Sequence, residues 1–412
     1  LERFAENRWE GYHLAAAMLE RGYLFRSAED EEARIQERYL EFMDEYERTP
    51  VQLIFAPTYS CNFRCAYCFQ EEYGQGSKIV TPEITDAFFA HVNKKFASES
   101  VRPYITLFGG EPLLPGNHYR TNLIYFLEQA KRYGYGVAIV TNGYELESYI
   151  PEFQRIGSDI REIQVTLDGD QAAHDARRYI RAGEPTFERI ASGIDLALRS
   201  GYRINLRSIM DRDNIESLTG LAHEAERRGW LDYAPALFES TLGRNYDLHT
   251  CRKTESLYSR TEMWSDFVRL AAEHPLLRRY HRPQFHGMRY LSDTGELPFP
   301  VFDGCPAGKK EWAFDLNGDI YGCTASVGVK SYRLGSYTNP DESPDEKSIM
   351  EWKTRDVLSI DECRECAYSL SCGGGCGVLA CNASGKIHSP DCRPVADLVA
   401  MGLDYYRIGE ES

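Results

Sequence analysis

VQLIFAPTYSCNFRCAYC (residues 51–68) runs from a short apolar stretch directly into a cysteine-dense loop. The stretch 51–57 has the length and composition of a buried strand and stops at Pro57; Cys61, Cys65 and Cys68 follow within one turn-rich loop. Five further runs resemble it: YITLFG (104–109), GVAIVT (136–141), EIQVTL (162–167), RINLRSIM (203–210) and YAPALFES (233–240). Segments of helical periodicity separate them, such as ITDAFFAHVNKKF (84–96) and ERIASGIDLALRSGY (188–202). Strands alternating with helices specify parallel βα units, and six units are too few to close an eight-stranded barrel. The fold class is therefore α/β, an open (β/α)6 partial TIM barrel.

Outside this core the pattern changes. Residues 1–50 are rich in Glu, Arg, Leu and Ala, with Leu14, Met18, Leu19 and Tyr23 at helical spacing, and predict a helical N-terminal segment. Residues 251–300 show no strand alternation and predict one helix around TEMWSDFVRLAAEH (261–274). From 301 the chain becomes loop-rich and holds eight of the twelve cysteines, so metal centres rather than an ordinary core are expected to organise it. The expected divisions are 1–50, 51–250, 251–300 and 301–412, in keeping with roughly two to three domains for this length.

Composition narrows the function. The 412 residues carry 47 basic and 63 acidic side chains, a formal charge of −16, which argues against sequence-independent nucleic-acid binding. No window approaches the roughly 18 apolar residues of a spanning helix, and LERFAENRWEG has neither the basic nor the apolar region of a signal peptide. A cytoplasmic protein is expected, with its cysteines held as thiols and read as metal ligands before disulfides. The first residue is Leu1 rather than Met, which leaves room for residues upstream.

Three thiolates on one loop can each hold one iron of a cubane and leave the fourth iron open to a small molecule. Zinc is the alternative, but structural zinc sites take four ligands and no neighbouring Cys or His completes this one. The loop, in this position after a first strand, resembles the signature of the radical S-adenosylmethionine (SAM) enzymes. That resemblance implies a [4Fe-4S] cluster on Cys61, Cys65 and Cys68, chelated at its open iron by the amino and carboxylate groups of SAM. Gly109-Gly110-Glu111-Pro112 is similar to the family motif that receives the SAM amino group, and Tyr67 matches an aromatic position against the adenine or packs as an ordinary core residue. Thr141-Asn142-Gly143 and Thr166-Leu167-Asp168-Gly169 end the third and fourth strands, where polar residues of parallel α/β folds face the ligand. Asn142, Thr166 and Asp168 join the expected SAM contacts. His174-Asp175-Ala176-Arg177-Arg178 and Thr186-Phe187 look like further family elements, making Arg178 a partner for the SAM carboxylate or else a surface arginine.

A second constellation lies C-terminal. Cys305 is followed by Gly318 to Cys323 and by Cys363-x2-Cys366-x5-Cys372-x3-Cys376, with Cys392 beyond a gap. These spacings resemble the SPASM extension of radical SAM enzymes that act on peptides and proteins. By that resemblance Cys363, Cys366, Cys372 and Cys392 hold an outer auxiliary [4Fe-4S] cluster and Cys305, Cys323 and Cys376 an inner one, three clusters in all. No eighth cysteine lies between Cys305 and Cys323, so the inner cluster keeps an open iron or takes Cys381. A zinc-ribbon array is the alternative. Cys251 fits neither pattern and reads as a small buried hydrophobe.

AAAMLERGYLFRSAEDEEARIQERY (15–39) resembles the segment that joins a leader-recognition domain to the barrel in maturases of ribosomally made peptides. The resemblance implies a precursor peptide with a leader as partner, a flavodoxin or ferredoxin as electron donor, and an oxidised product such as a thioether or other side-chain crosslink. Sulfatase-maturing enzymes carry Asp after the cysteine matching Cys323, where this chain has Thr324. That class, and an Fe–S electron carrier without radical chemistry, are the alternatives. Asp168, Asp303 and Asp315 stand as candidates for a general base.

Overall fold

The computed structural model describes residues 13–20, 24–68, 70, 78–180, 183–249 and 254–408. The chain divides into two compact units, Leu1–Thr49 and Pro50–Ser412. In the first, helices form at His13–Glu20 and Ala28–Arg48. The second helix begins where Ser27 Oγ accepts a hydrogen bond from the Asp30 amide at 3.1 Å, and Glu29, Asp30 and Glu31 place negative charge on its N-terminal dipole.

The second unit is built on a nine-stranded sheet in the order β6-β5-β4-β3-β2-β1-β7-β8-β9. The strands are β1 Gln52–Ala56, β2 Tyr104–Leu107, β3 Val137–Thr141, β4 Ile160–Thr166, β5 Ile204–Met210, β6 Phe238–Arg244, β7 Glu311–Asp315, β8 Asp319–Tyr321 and β9 Arg333–Ser336. β1 to β6 pair in parallel and the sheet does not close, as the open α/β barrel requires. Period-two alternation sorts β1: Leu53 and Phe55 join the main apolar core, whereas Ile54 and Ala56 join Ala313 and Tyr321 on the opposite face. Phe55 meets Phe88 of the helix Pro82–Lys95 and Phe126 of the helix Asn117–Arg132, both at 4.7 Å between ring centroids.

Three features differ from the sequence reading. β6 starts at Phe238, not at 233, because the Ala234 carbonyl accepts the amides of Leu237 and Phe238 and closes a turn around Pro235. Residues 260–294 form three helices, Arg260–Glu273, Leu276–Tyr280 and Met288–Thr294, rather than one. The C-terminal region also continues the barrel sheet. β7 lies parallel to β1 with Leu53 opposite Trp312, and Phe314 packs on Phe88 at 5.3 Å.

This region's buried apolar residues extend the barrel core, which Trp352 and Val378 join. Phe302, Trp352, Val357, Ile360 and Val378 are buried, and among them lies Arg355, 1% exposed. Its guanidinium donates to the carbonyls of Ile387 at 2.8 Å, Gly374 at 2.7 Å, Gly375 at 3.2 Å and Ser389 at 3.0 Å. One cation thereby ties together the loops that carry Cys372, Cys376 and Cys392. Removing it takes a charged donor from four carbonyls, of which those of Ile387 and Gly374 keep the amides of Ser389 and Asp391, so Arg355→Met is expected to lower unfolding free energy by about 3 kcal/mol. Urea unfolding followed by circular dichroism checks this, and a loss under about 1 kcal/mol would be too small for four charge-assisted bonds.

Candidate active site at the cysteine loop

The cysteine loop is fastened to the end of β2 by backbone contact. Gly110 donates its amide to the Thr58 carbonyl and Glu111 to the Ser60 carbonyl, each at 2.9 Å. This approach explains the two glycines. A Cβ on Gly109, whose φ is +145°, would stand 2.6 Å from Thr58 O, and one on Gly110 would stand 2.1 Å from Ser60 O. The loop's other side is held where Arg64 donates its amide to Tyr179 O at 2.9 Å.

Directly after the glycines, Glu111 is 1% exposed. Its Oε1 accepts from Thr141 Oγ1 at 2.5 Å and the Leu113 amide at 2.8 Å, and its Oε2 from the Asn142 amide at 2.6 Å. Burial pushes this carboxyl above the usual range, opposed by those three bonds and by Arg178. A carboxylate offers about four lone-pair sites, so Oε2 retains one for a further donor, and an ammonium group suits it best. Asn142 reaches the loop itself, donating to Asn62 Oδ1 at 2.7 Å.

A second network supports the loop around Tyr67. Its hydroxyl donates to Asp168 Oδ2 and accepts from Arg178 Nη1 at 2.7 Å. Asp168 is fully buried, and its Oδ1 accepts the Ile209 amide at 2.8 Å. His174 Nδ1 accepts the Asp168 amide at 3.2 Å, which assigns the ring proton to Nε2, facing Thr186 Oγ1 at 3.1 Å. Thr186 Oγ1 in turn donates to Arg178 O at 2.7 Å. The two motifs around His174 and Thr186 thus position Arg178.

These elements enclose a cavity of about 480 Å³ that extends from the cysteine loop, across inward-facing strand residues, to Thr324 and Ala325. Three buried donor atoms on its wall, Gln70 Nε2, Arg178 Nε and Arg244 Nε, have no hydrogen-bond partner. Such groups are costly unless a bound molecule supplies acceptors. Thr324 Oγ1 donates to Glu311 Oε1 at 2.7 Å, and burial pushes that enclosed carboxyl up.

All three loop thiols open onto the cavity. Crowding by protein atoms pushes Cys61 up, reinforced by the charge of Glu111, and pushes Cys65 up to about 11. Among the described residues no three His, Cys, Asp or Glu side chains converge on a single metal ion. Ligands that each hold a different iron of one cluster need not converge.

The C-terminal cysteines fall into two electrostatic groups. Cys323 feels Cys305 and Cys376, while Cys363 feels Cys372, Cys392 and Cys366. The Gly377 amide donates to Cys305 Sγ at 3.4 Å, and Cys323 immediately precedes the cavity-wall residue Thr324. Cys381 lies beside the first group, through the Tyr332 hydroxyl that it shares with Cys323 and Cys376. Cys251 is outside the described residues.

Residues 55–225 match the model of the Radical SAM superfamily. The chain carries a radical SAM domain. Among curated proteins it is 31% identical over 173 residues to the GTP 3',8-cyclase of Rhizobium etli (strain CIAT 652), covering 40% of this chain and 45% of that one. The chain spans about half the length of the cyclases it matches. It is 22% identical over 356 residues to the serine-type anaerobic sulfatase-maturating enzyme of Bacteroides thetaiotaomicron, covering 77% and 80% of the two chains. Two solved structures share its fold. Native anSMEcpe with bound AdoMet and Cp18Cys peptide superposes with a TM-score of 0.62 at 17% identity, over 87% of this chain and 97% of that one. Streptococcus suis SuiB bound to precursor peptide SuiA gives 0.58 at 14%, over 95% and 89%.

Within the radical SAM domain, Tyr67, Gly109, Gly110, Asn142, Thr166 and Arg178 all line the cavity with Glu111. Asp168 and Pro112 do not: the Asp168 carboxylate is occupied beneath Tyr67, and the Pro112 carbonyl accepts from Tyr119 OH at 3.1 Å. Asp303 pairs with Lys309 at 2.6 Å and Asp315 accepts from Tyr59 OH at 2.8 Å, so none of the three base candidates reaches the cavity. Sequence reading missed Gln52, Thr106, Gln164 and Arg207 on the wall, although polar side chains at alternate positions of otherwise apolar strands are a signal of an inward face.

Two outcomes follow from this geometry. Glu111→Gln removes the charge that suits an ammonium group, and the SAM Kd measured by equilibrium dialysis is expected to rise at least about tenfold while iron content stays unchanged. An unchanged Kd would separate Glu111 from SAM binding. Burial, then Arg178 and Arg177, hold His174 well below its ordinary value. The unfolded chain therefore takes up this proton first as pH falls through about 6.5, so stability is full above that pH and declines below it. Denaturant midpoints at pH 7.5 and 5.5 are expected to differ less for His174→Asn than for the native chain.

Proposed function

We propose that this chain is a radical SAM/SPASM peptide maturase that oxidatively modifies a ribosomally synthesised precursor peptide. The observation that carries this reading is the cavity, bounded at one end by Cys61, Cys65 and Cys68 and at the other by Thr324, the neighbour of Cys323. A substrate held between them lies beside both cysteine groups. The donor set suits Fe–S clusters, with Cys61, Cys65 and Cys68 holding one and two further clusters on Cys305, Cys323 and Cys376 and on Cys363, Cys366, Cys372 and Cys392. Loaded in this way, the first cluster and SAM supply the one-electron chemistry that generates a hydrogen-abstracting radical, and the auxiliary clusters accept an electron.

The chain's own residues supply placement. Glu111 Oε2 receives the SAM ammonium and Arg178 its carboxylate, while Tyr67, fixed by Asp168, borders the same pocket. Thr324, hydrogen-bonded to Glu311, gives a hydroxyl at the substrate end through which a proton can pass to a buried carboxylate. The sheet walls exclude water from the reacting carbon. A flavodoxin or ferredoxin in the cytoplasm supplies electrons, and a thioether or other side-chain crosslink is the product class. SuiB with its precursor peptide, similar over 95% of this chain, supports this choice.

A second reading is favoured by the similarity to a serine-type sulfatase-maturating enzyme over most of both chains. Thr324, where that class carries Asp, opposes it. An electron carrier without radical chemistry has no need of Glu111. Anaerobic reconstitution tests the proposal: about twelve irons per chain, as three four-iron clusters require, with release of 5'-deoxyadenosine from SAM and loss of two hydrogens from a co-expressed precursor. About four irons would remove the auxiliary clusters, and nucleoside release with oxidation of a sulfatase peptide instead would favour the second reading.

A further inference from the structure

The chain is strongly acidic, and many of its arginines are paired with carboxylates. Immediately before β5, Arg203 is held by Glu162 at 3.2 Å and Glu239 at 2.9 Å. Arg207, four residues further along and on the cavity wall, has no carboxylate partner and no side-chain hydrogen bond among the described residues. Its guanidinium lies over Gly243, where a Cβ would meet Nη2 at 2.9 Å. The next residue, Arg244, also lines the cavity. It gives Nη1 to the Tyr258 carbonyl, keeps Nε buried without a partner, and meets no carboxylate among the described residues.

A third cation stands beside them. Arg207, Arg244 and Arg260 all act on the Tyr246 hydroxyl at the cavity wall, and Asp391, 3.7 Å from Arg260, is the carboxylate that Arg260 shares with Arg244 at longer range. Burial and Arg260 together push Arg244 below its ordinary range. Like charges crowded in a low-dielectric pocket are unfavourable until an anion joins them. The SAM carboxylate is not that anion, because Arg178 is reserved at the cysteine-loop end, beside Cys65 and Tyr67. Tyr246 lies instead by Cys376 of the C-terminal group.

We propose that Arg207 and Arg244 form an anion seat at the substrate end of the cavity, and that the peptide presents an Asp or Glu side chain to it. The seat rests on the peptide-maturase reading and adds the chemistry of the residue recognised. Guanidinium forks match a carboxylate in two parallel bonds, and an amide of the same shape leaves the charge uncompensated. The chain's overall negative charge would repel an acidic peptide elsewhere on its surface, so preference for one must come from a local site.

The test uses anaerobically reconstituted holoenzyme with SAM and two fluorescent random dodecapeptide pools, one containing Asp and Glu, the other Asn and Gln in their place. Anisotropy titration is expected to show the acidic pool binding at least about tenfold more tightly, as loss of a charge-assisted pair implies. Arg207→Gln and Arg244→Gln should each cut that preference severalfold, and Arg203→Gln, just before the same strand but already paired, should leave it. Should the Gln variants fold poorly, Arg207→Lys keeps the charge without the fork and is expected to retain preference at reduced strength. Equal binding of the two pools would overturn the anion seat and leave the peptide reading standing. Binding of GTP, lost in Arg207→Gln, with no binding of either pool would overturn both, placing a phosphate where the carboxylate is proposed.

Discussion

The site depends on the close approach of two backbone segments. Residues 58–60 leave β1 and are hydrogen-bonded to Gly110 and Glu111 at the end of β2, at separations that a single Cβ on either glycine would destroy. This seam sets where the three cysteines hang, and it buries Glu111 where Thr141 and Asn142 of the neighbouring strand end can saturate most of its oxygens. Geometry held by main-chain bonds on a rigid sheet is what a site for a reactive, oxygen-sensitive reaction requires.

Charge is distributed around this frame by rule rather than by chance. Tyr67, Asp168, Arg177 and Asp211 neutralise one another beneath the cysteine loop, and Arg355 spends its charge on carbonyls between the C-terminal cysteine groups. In the cavity, Arg178, Arg207 and Arg244 reach the wall without a carboxylate in hydrogen-bond contact among the described residues. Placing unpaired donors in a pocket and pairing them elsewhere is how a protein marks a ligand site.

Much of this was legible in the sequence. The first five strands could be read because each combines β-branched residues with flanking turn residues, and the cysteine groups because several thiols at such short spacings are a recognisable metal-ligand pattern. β6 was misplaced because Pro235 and the Ala234 turn sit inside an apolar run, which periodicity alone does not separate from strand. β7 was missed because EWAFD (311–315) is short and isolated, and only its pairing with β1 makes it a strand. The roles of Asp168 and Arg355 were hidden for another reason. Each depends on partners far away along the chain: Asp168 on Tyr67 and Ile209, Arg355 on carbonyls from Gly374 to Ser389.

The central claim is that Cys61, Cys65 and Cys68 hold a cluster whose open iron faces the Glu111 pocket. Electron paramagnetic resonance of the reduced, reconstituted protein tests it most directly, with and without saturating SAM, in a variant whose C-terminal cysteines Cys363 and Cys366 are replaced by Ala to simplify the signal. Two cluster signals are then expected, from the cysteine loop and from the Cys305, Cys323 and Cys376 group; SAM is expected to shift the g-values of one of them, and Cys61→Ala to abolish that shift. A reduced spectrum in which SAM shifts neither signal would contradict the claim.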